Sequence, residues 1–101
     1  MKLREIAWTR SGDKGNTSNV VVYAFDDRNY ERLREQVTVE RVRELFGPLV
    51  QGEINRYEFR GLKGLNFVMT DALEGGTSNN LLVDPHGKCY QTLMLELEID
   101  A

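Results

Sequence analysis

Hydrophobic residues recur with two different periods along this chain, and each period predicts a different element. Residues 19–25 (Asn-Val-Val-Val-Tyr-Ala-Phe) are rich in β-branched and aromatic types, as buried strands are, and the mixed run at residues 3–9 predicts a partner strand. Asp26-Asp27 supplies helix N-caps, after which Tyr30, Leu33 and Val37 return at i, i+3 and i+7 on one helical face. The phase then breaks. Thr38 caps a second segment in which Val42, Leu45, Phe46 and Leu49 restart the stripe, until Gly47-Pro48 stops it because proline cannot continue the hydrogen-bond ladder. The prediction here is a kinked or split helical hairpin.

Residues 53–59 predict a strand with Tyr57 and Phe59 on one face, and Gly61 and Gly64 bracket a turn. Two periods compete over 64–74. Leu65, Val68, Met69, Ala72 and Leu73 fit a helix ended by Gly75-Gly76, whereas Leu65, Phe67 and Met69 alternate as a strand does; the helix is the reading taken. Asn80 to Asp84 predicts a short strand, and Asp84-Pro85-His86-Gly87 a tight turn. Over 88–99, Leu93, Leu95, Leu97 and Ile99 alternate with acidic residues and predict a strand, with a helix through Tyr90, Leu93, Met94 and Leu97 as the competitor. The order strand, strand, helix, strand, helix, strand, strand predicts an α+β two-layer sandwich, a mainly antiparallel sheet with helices on one face. Its other face needs a cover if it carries Trp8, Tyr23 or Tyr57, so a homo-oligomer is expected.

Composition sets the scale of this picture. With 101 residues, 41% hydrophobic and 29% charged, the chain is expected to fold as one domain over residues 1–101, with no mass for a second, so any active site must be shallow or shared. Net charge is −3 and no basic stripe is present, which excludes a nucleic-acid partner. The alternating charges between Asp26 and Glu44 read as a wet helix face laced with ion pairs. Cys89 stands alone, so one chain builds neither a disulfide framework nor a thiolate metal site. Met1-Lys2-Leu3-Arg4-Glu5 puts an acid where a signal peptide needs its apolar core, and no stretch approaches the ~20 apolar residues of a membrane span. A soluble cytoplasmic protein without a membrane partner is expected.

The residues best suited to chemistry lie between the first two strands. Arg10-Ser11-Gly12-Asp13-Lys14-Gly15-Asn16-Thr17-Ser18 reads as a hairpin loop longer than a plain turn requires. Gly12 and Gly15 permit positive φ and can present consecutive N–H groups to an anion, Arg10 and Lys14 add charge, and Ser11, Thr17, Ser18 and Asn19 add neutral hydrogen-bonding groups. The stretch has neither P-loop nor dinucleotide-binding spacing. The alternative is a long solvated hairpin with Asp13 paired locally to Lys14 or Arg10. Thr77-Ser78-Asn79-Asn80 reads first as helix C-capping and turn chemistry. His86, the single histidine, sits in the tight turn; a relay of Ser11, Ser18 or Ser78 with His86 and Asp13 or Asp84 has no nucleophile-elbow motif behind it. The donors for a metal are too few, and no cofactor is called for.

The stretch Arg10-Ser11-Gly12-Asp13-Lys14-Gly15-Asn16-Thr17-Ser18-Asn19, with Leu65-Asn66-Phe67, Leu73-Glu74-Gly75-Gly76 and Asp84-Pro85-His86-Gly87-Lys88, resembles the AtuA-like family, named for acyclic terpene utilisation. The resemblance covers nearly the whole chain, and R-S-G-D-K-G is its most specific part. It implies a ferredoxin-like α+β fold and a link to catabolism of acyclic terpenoids or branched acyl-CoA compounds. In the family such a domain forms the C-terminal portion of a longer protein, and free-standing versions of this size occur, so a larger AtuA-type subunit is the implied partner. The resemblance implies no catalytic residue. Position 16 is commonly Asp and position 21 commonly Gly in the family, whereas this chain has Asn16 and Val21, which removes one candidate carboxylate.

Two function classes stay open. In the first, the chain is a small accessory subunit that binds an anionic ligand through Arg10, Ser11, Gly12, Asp13, Lys14, Gly15, Asn19 and Asn66, at a site completed by a larger partner or a second copy. In the second, it is a stand-alone hydrolase or lyase on an acyl substrate, with Asp13, Lys14 and His86 as acid-base groups, or else a ligand-sensing module.

Overall fold

The computed structural model describes residues 1–14, 17–72 and 88–100. Four strands, β1 (Ala7–Lys14), β2 (Thr17–Ala24), β3 (Ile54–Phe59) and β4 (Gly64–Met69), form one antiparallel sheet in the order β1-β2-β4-β3. Helices α1 (Asp27–Gln36), α2 (Val39–Phe46) and α3 (Lys88–Met94) pack on one face, so the architecture is the expected α+β pair of layers.

The split helix forms where the phase breaks. Asp26 caps α1 by accepting from the Asn29 N–H at 2.8 Å, and Thr38 caps α2 by accepting from the Arg41 N–H at 3.2 Å. Gly47, with φ of 54°, turns the chain out of α2 ahead of Pro48. Arg56 closes the other end of α1: its guanidinium donates to the carbonyls of Arg34 and Val37, both at 2.9 Å, satisfying acceptors that a helix C-terminus leaves open.

The core fills the space between the layers. From the sheet come Val20 and Val22 of β2, Leu65, Phe67 and Met69 of β4, and Ile54 of β3; from the helices come Tyr30, Leu33, Val42, Phe46, Tyr90 and Met94. The Phe46 and Tyr90 rings meet at 5.1 Å in a tilted pair, and the Tyr90 hydroxyl donates to the Leu49 carbonyl, so α3 is joined to α2 by an apolar contact and to the turn that follows α2 by a polar one.

Three sequence expectations are corrected. Residues 64–69 are strand, not helix: alternation wins because Leu65, Phe67 and Met69 are all fully buried on the core side. Residues 88–94 are helix, not strand, because Tyr90 and Met94, four apart, both reach the core. Beyond α3 the period-two pattern does operate, with Leu97 and Ile99 buried and Glu98 exposed where it bridges Lys2. Residues 3–5 form a 3-10 turn, not the start of a strand, and Leu3 donates to the Leu97 carbonyl at 2.8 Å. The expected strand at 80–84, the turn at 84–87 and the glycine cap at 75–76 lie outside the described residues.

Candidate functional site

The stretch expected to be a long loop is hydrogen-bonded strand. β1 and β2 pair without a break from Ala7↔Ala24 through Arg10↔Val21 and Gly12↔Asn19 to Lys14↔Thr17, leaving two residues, Gly15 and Asn16, to join them. The physical reason is that extended residues at 10–14 satisfy their backbone groups against 17–21, whereas a nine-residue loop would leave them to water. Gly12 is therefore ladder backbone and not half of an anion-binding nest. A Cβ at Gly12 would stand 3.3 Å from the Asn19 side-chain oxygen, so glycine leaves room for that amide.

Strand alternation then sorts the candidates between the two faces. Ser11 faces the helices: its N–H and its hydroxyl both donate to the Gln91 side-chain oxygen of α3, at 2.8 and 2.9 Å. Thr9 donates to the Gln91 carbonyl, so this corner pins α3 to β1. Ser18 is buried on the same side and donates to the Gly12 carbonyl. These serines hold structure together, and the sequence reading missed Gln91, whose only signal was its place on the polar side of a helix read as a strand.

Arg10, Gly12, Asn19 and Asn66 lie on the opposite face, which carries no helix among the described residues. The pairing registers arrange that face in rows across β1, β2, β4 and β3: Trp8, Tyr23, Gly64, Phe59; then Arg10, Val21, Asn66, Tyr57; then Gly12, Asn19, Val68, Asn55. Asn19 Nδ2 donates to Asn66 Oδ1 at 3.2 Å, tying β2 to β4 and leaving the Asn66 amide group as a donor beside Arg10's row. Arg10 is exposed and has no hydrogen bond or ion pair among the described residues. Arg34 and Arg60 are paired with Glu31, Lys2 and Arg4 with Glu96, and Arg41, Arg43 and Arg56 with backbone carbonyls, whereas Arg28, Arg32 and Lys63 share Arg10's lack of a side-chain partner among the described residues but lie outside these rows.

Asp13 and Lys14 sit at the hairpin end of β1, opposite Ser18 and Thr17. Gly15, His86, Thr77 to Asn80 and Asp84 lie outside the described residues. A groove of about 700 Å³ opens elsewhere, between α2 and residues 96–100, but Glu44, Glu96, Glu98 and Asp100 line it against Arg41, the wrong sign for an anion. Among the described residues no group of three or more His, Cys, Asp or Glu is placed to hold a metal ion. No helix among them is long and apolar enough to cross a membrane.

The chain matches the AtuA ferredoxin-like domain over residues 1–100. It belongs to that family. No curated protein and no solved structure matches the chain at a significant level. In this AtuA ferredoxin-like domain the R-S-G-D-K-G stretch runs along an edge strand, where alternate residues turn to opposite faces, so it contributes Ser11 to the helix layer and Arg10 to the open face.

Proposed function

We propose that this AtuA ferredoxin-like domain is a small accessory subunit that holds an anionic ligand against its open sheet face, with a larger AtuA-type protein supplying the chemistry. The ligand class is the carboxylate of a branched acyclic acid or the phosphates of its CoA ester. One observation carries the reading: among the described residues Arg10 is unpaired on that face, one strand away from Asn66 across Val21 and on the same face as the amide pair of Asn19 and Asn66. A guanidinium gives a carboxylate or phosphate a two-pronged, charge-assisted contact, and the Asn66 amide supplies a neutral donor to orient it. Gly12 keeps the third row low, so a ligand can reach both, and Lys14 lies beyond Gly12 at the end of the same strand.

The test is calorimetric titration with free CoA and with a branched-chain acyl-CoA. Saturable binding is expected, weakened about tenfold or more by Arg10→Gln, the loss of one charge-assisted contact, and by Lys14→Ala, but unchanged by His86→Ala. No saturable binding, or full affinity in Arg10→Gln, overturns the reading. Turnover that collapses in His86→Ala would support the stand-alone enzyme instead.

A further inference from the structure

The open face holds more than the ligand reading uses. Trp8, Tyr57 and Phe59 are 44%, 51% and 43% exposed upon it, and Phe25 and Leu62, at the ends of the strands next to the aromatic row, are more than half exposed. These five are the exposed large hydrophobic residues among those described. Trp8 and Tyr23 stack at 4.4 Å with 21° between their planes, which presets a flat aromatic plate. Of the twelve outward positions in the three rows, Arg10 alone is charged, in a chain where 29% of residues are.

We propose that a second copy of this chain covers this face, docked sheet to sheet about a two-fold axis that runs along the strands. The inference stands without the ligand reading. A partner that is a polyanion or an acidic membrane needs several cations, and the rows offer one. A second copy needs none.

The register also selects the axis. A two-fold along the strands sets β1 over the partner's β3 and β2 over the partner's β4, row on row. Trp8 then meets the partner's Phe59 and Arg10 meets the ring of the partner's Tyr57, while Gly64 is already covered by the Tyr23 ring of its own chain, 3.2 Å from where a Cβ would stand, so the two Tyr23 rings meet beside the axis. These are aromatic contacts and a cation over a ring. A two-fold across the strands would instead put Arg10 over the partner's Arg10 and Tyr23 over the partner's Asn19. Like charges facing each other in a dry interface exclude that arrangement.

The area fits a weak dimer. Four strands at ~4.8 Å spacing and six residues at ~3.4 Å give a footprint of roughly 400 Å². That is below the ~600 Å² per partner of the smallest standard interfaces, so the dimer is expected to be weak and strongly concentration-dependent. In this arrangement the partner subunit's Val21 lies over Asn66, so a ligand held by both Arg10 and Asn66 competes with the second copy for the face.

Sedimentation velocity of the full chain without ligand, over a micromolar concentration series, tests the proposal. The expected result is a monomer–dimer equilibrium that Tyr57→Arg and Phe59→Arg each weaken at least tenfold, with circular dichroism unchanged because both positions are exposed, and melting unchanged at concentrations where the parent chain is monomeric. In a Cys89→Ser background, a bis-maleimide linker spanning about 10 Å, the spacing of stacked sheets, should join Trp8→Cys protein to Phe59→Cys protein and should join neither to itself. A monomer at every concentration, a dimer indifferent to Tyr57→Arg, or cross-linking of either cysteine variant to itself overturns it. None of these readouts involves the ligand, so failure here leaves the Arg10 titration to be judged separately.

Discussion

Arg56 and Arg10 lie on opposite faces of one sheet, and the face decides what each does. Arg56, on the helix side, gives two hydrogen bonds to the end of α1 and a third to Glu58, so it is bound into the structure. Arg10, on the open side, has no such partners among the described residues and is available to a ligand or a second chain. Tyr30 shows the cost side of the same accounting. Its ring is buried under the Arg60 guanidinium, which lies 5.4 Å from the ring centre, yet its hydroxyl is buried with no hydrogen-bond partner among the described residues. An unsatisfied buried hydroxyl destabilises, and replacing it with hydrogen removes the penalty without touching the ring. Tyr30→Phe is therefore expected to stabilise the fold by about 1 kcal/mol in urea unfolding; a loss of that size would show that the hydroxyl has a partner.

Among the elements, those with one dominant period were legible and those with two were not. The split between α1 and α2 could be read from the phase break at Val37 and from Thr38, because a cap is a local device whose donor and acceptor are three residues apart. Removing it in Thr38→Ala should cost about 1 kcal/mol by denaturant unfolding, with the slope unchanged. The strand β4 was misread because Leu65, Val68, Met69 and Ala72 mimic a helical face, and only its place between β2 and β3 favours the extended form. The hairpin was misread for a different reason. Polar residues at 10–18 look like a loop when counted, yet Gly15-Asn16 is also a signal for a two-residue hairpin turn, and with it the flanking residues fall into strand register.

For the whole molecule, Glu31 joins the two layers. It pairs with Arg34 on its own helix at 2.8 Å and with Arg60, in the turn between β3 and β4, at 2.9 Å. These two guanidinium groups, Arg34 first, hold the Glu31 carboxyl below its ordinary value of 4.5. A carboxyl with a lowered folded-state value stabilises the fold above its unfolded value and loses that contribution as pH falls through the lowered one. Glu31→Gln should therefore lower the melting temperature slightly at neutral pH, and the gap to the parent chain should close as pH falls below 4.5. The effect is small because both partners are solvated, and added salt should reduce it further. Among the described residues the helices cover one face of the sheet and leave Trp8, Arg10, Tyr57 and Phe59 exposed on the other, so a ligand or partner meets a face and not an enclosed cavity.

What the sequence alone determined is whatever depends on neighbours a few residues away: the helix caps at Asp26 and Thr38, the stop at Gly47-Pro48, the alternation of β3, the α+β class, and through the R-S-G-D-K-G stretch the family. What only the tertiary structure decided is which side of the sheet each polar residue faces and what stands opposite it. Ser11 and Arg10 are adjacent in the chain, yet one is fastened to Gln91 and the other stands on the open face with Asn66, 56 residues further on. A strand turns successive side chains to opposite faces, so one residue of register separates structural from functional roles, and register is set by pairing partners far away in the sequence.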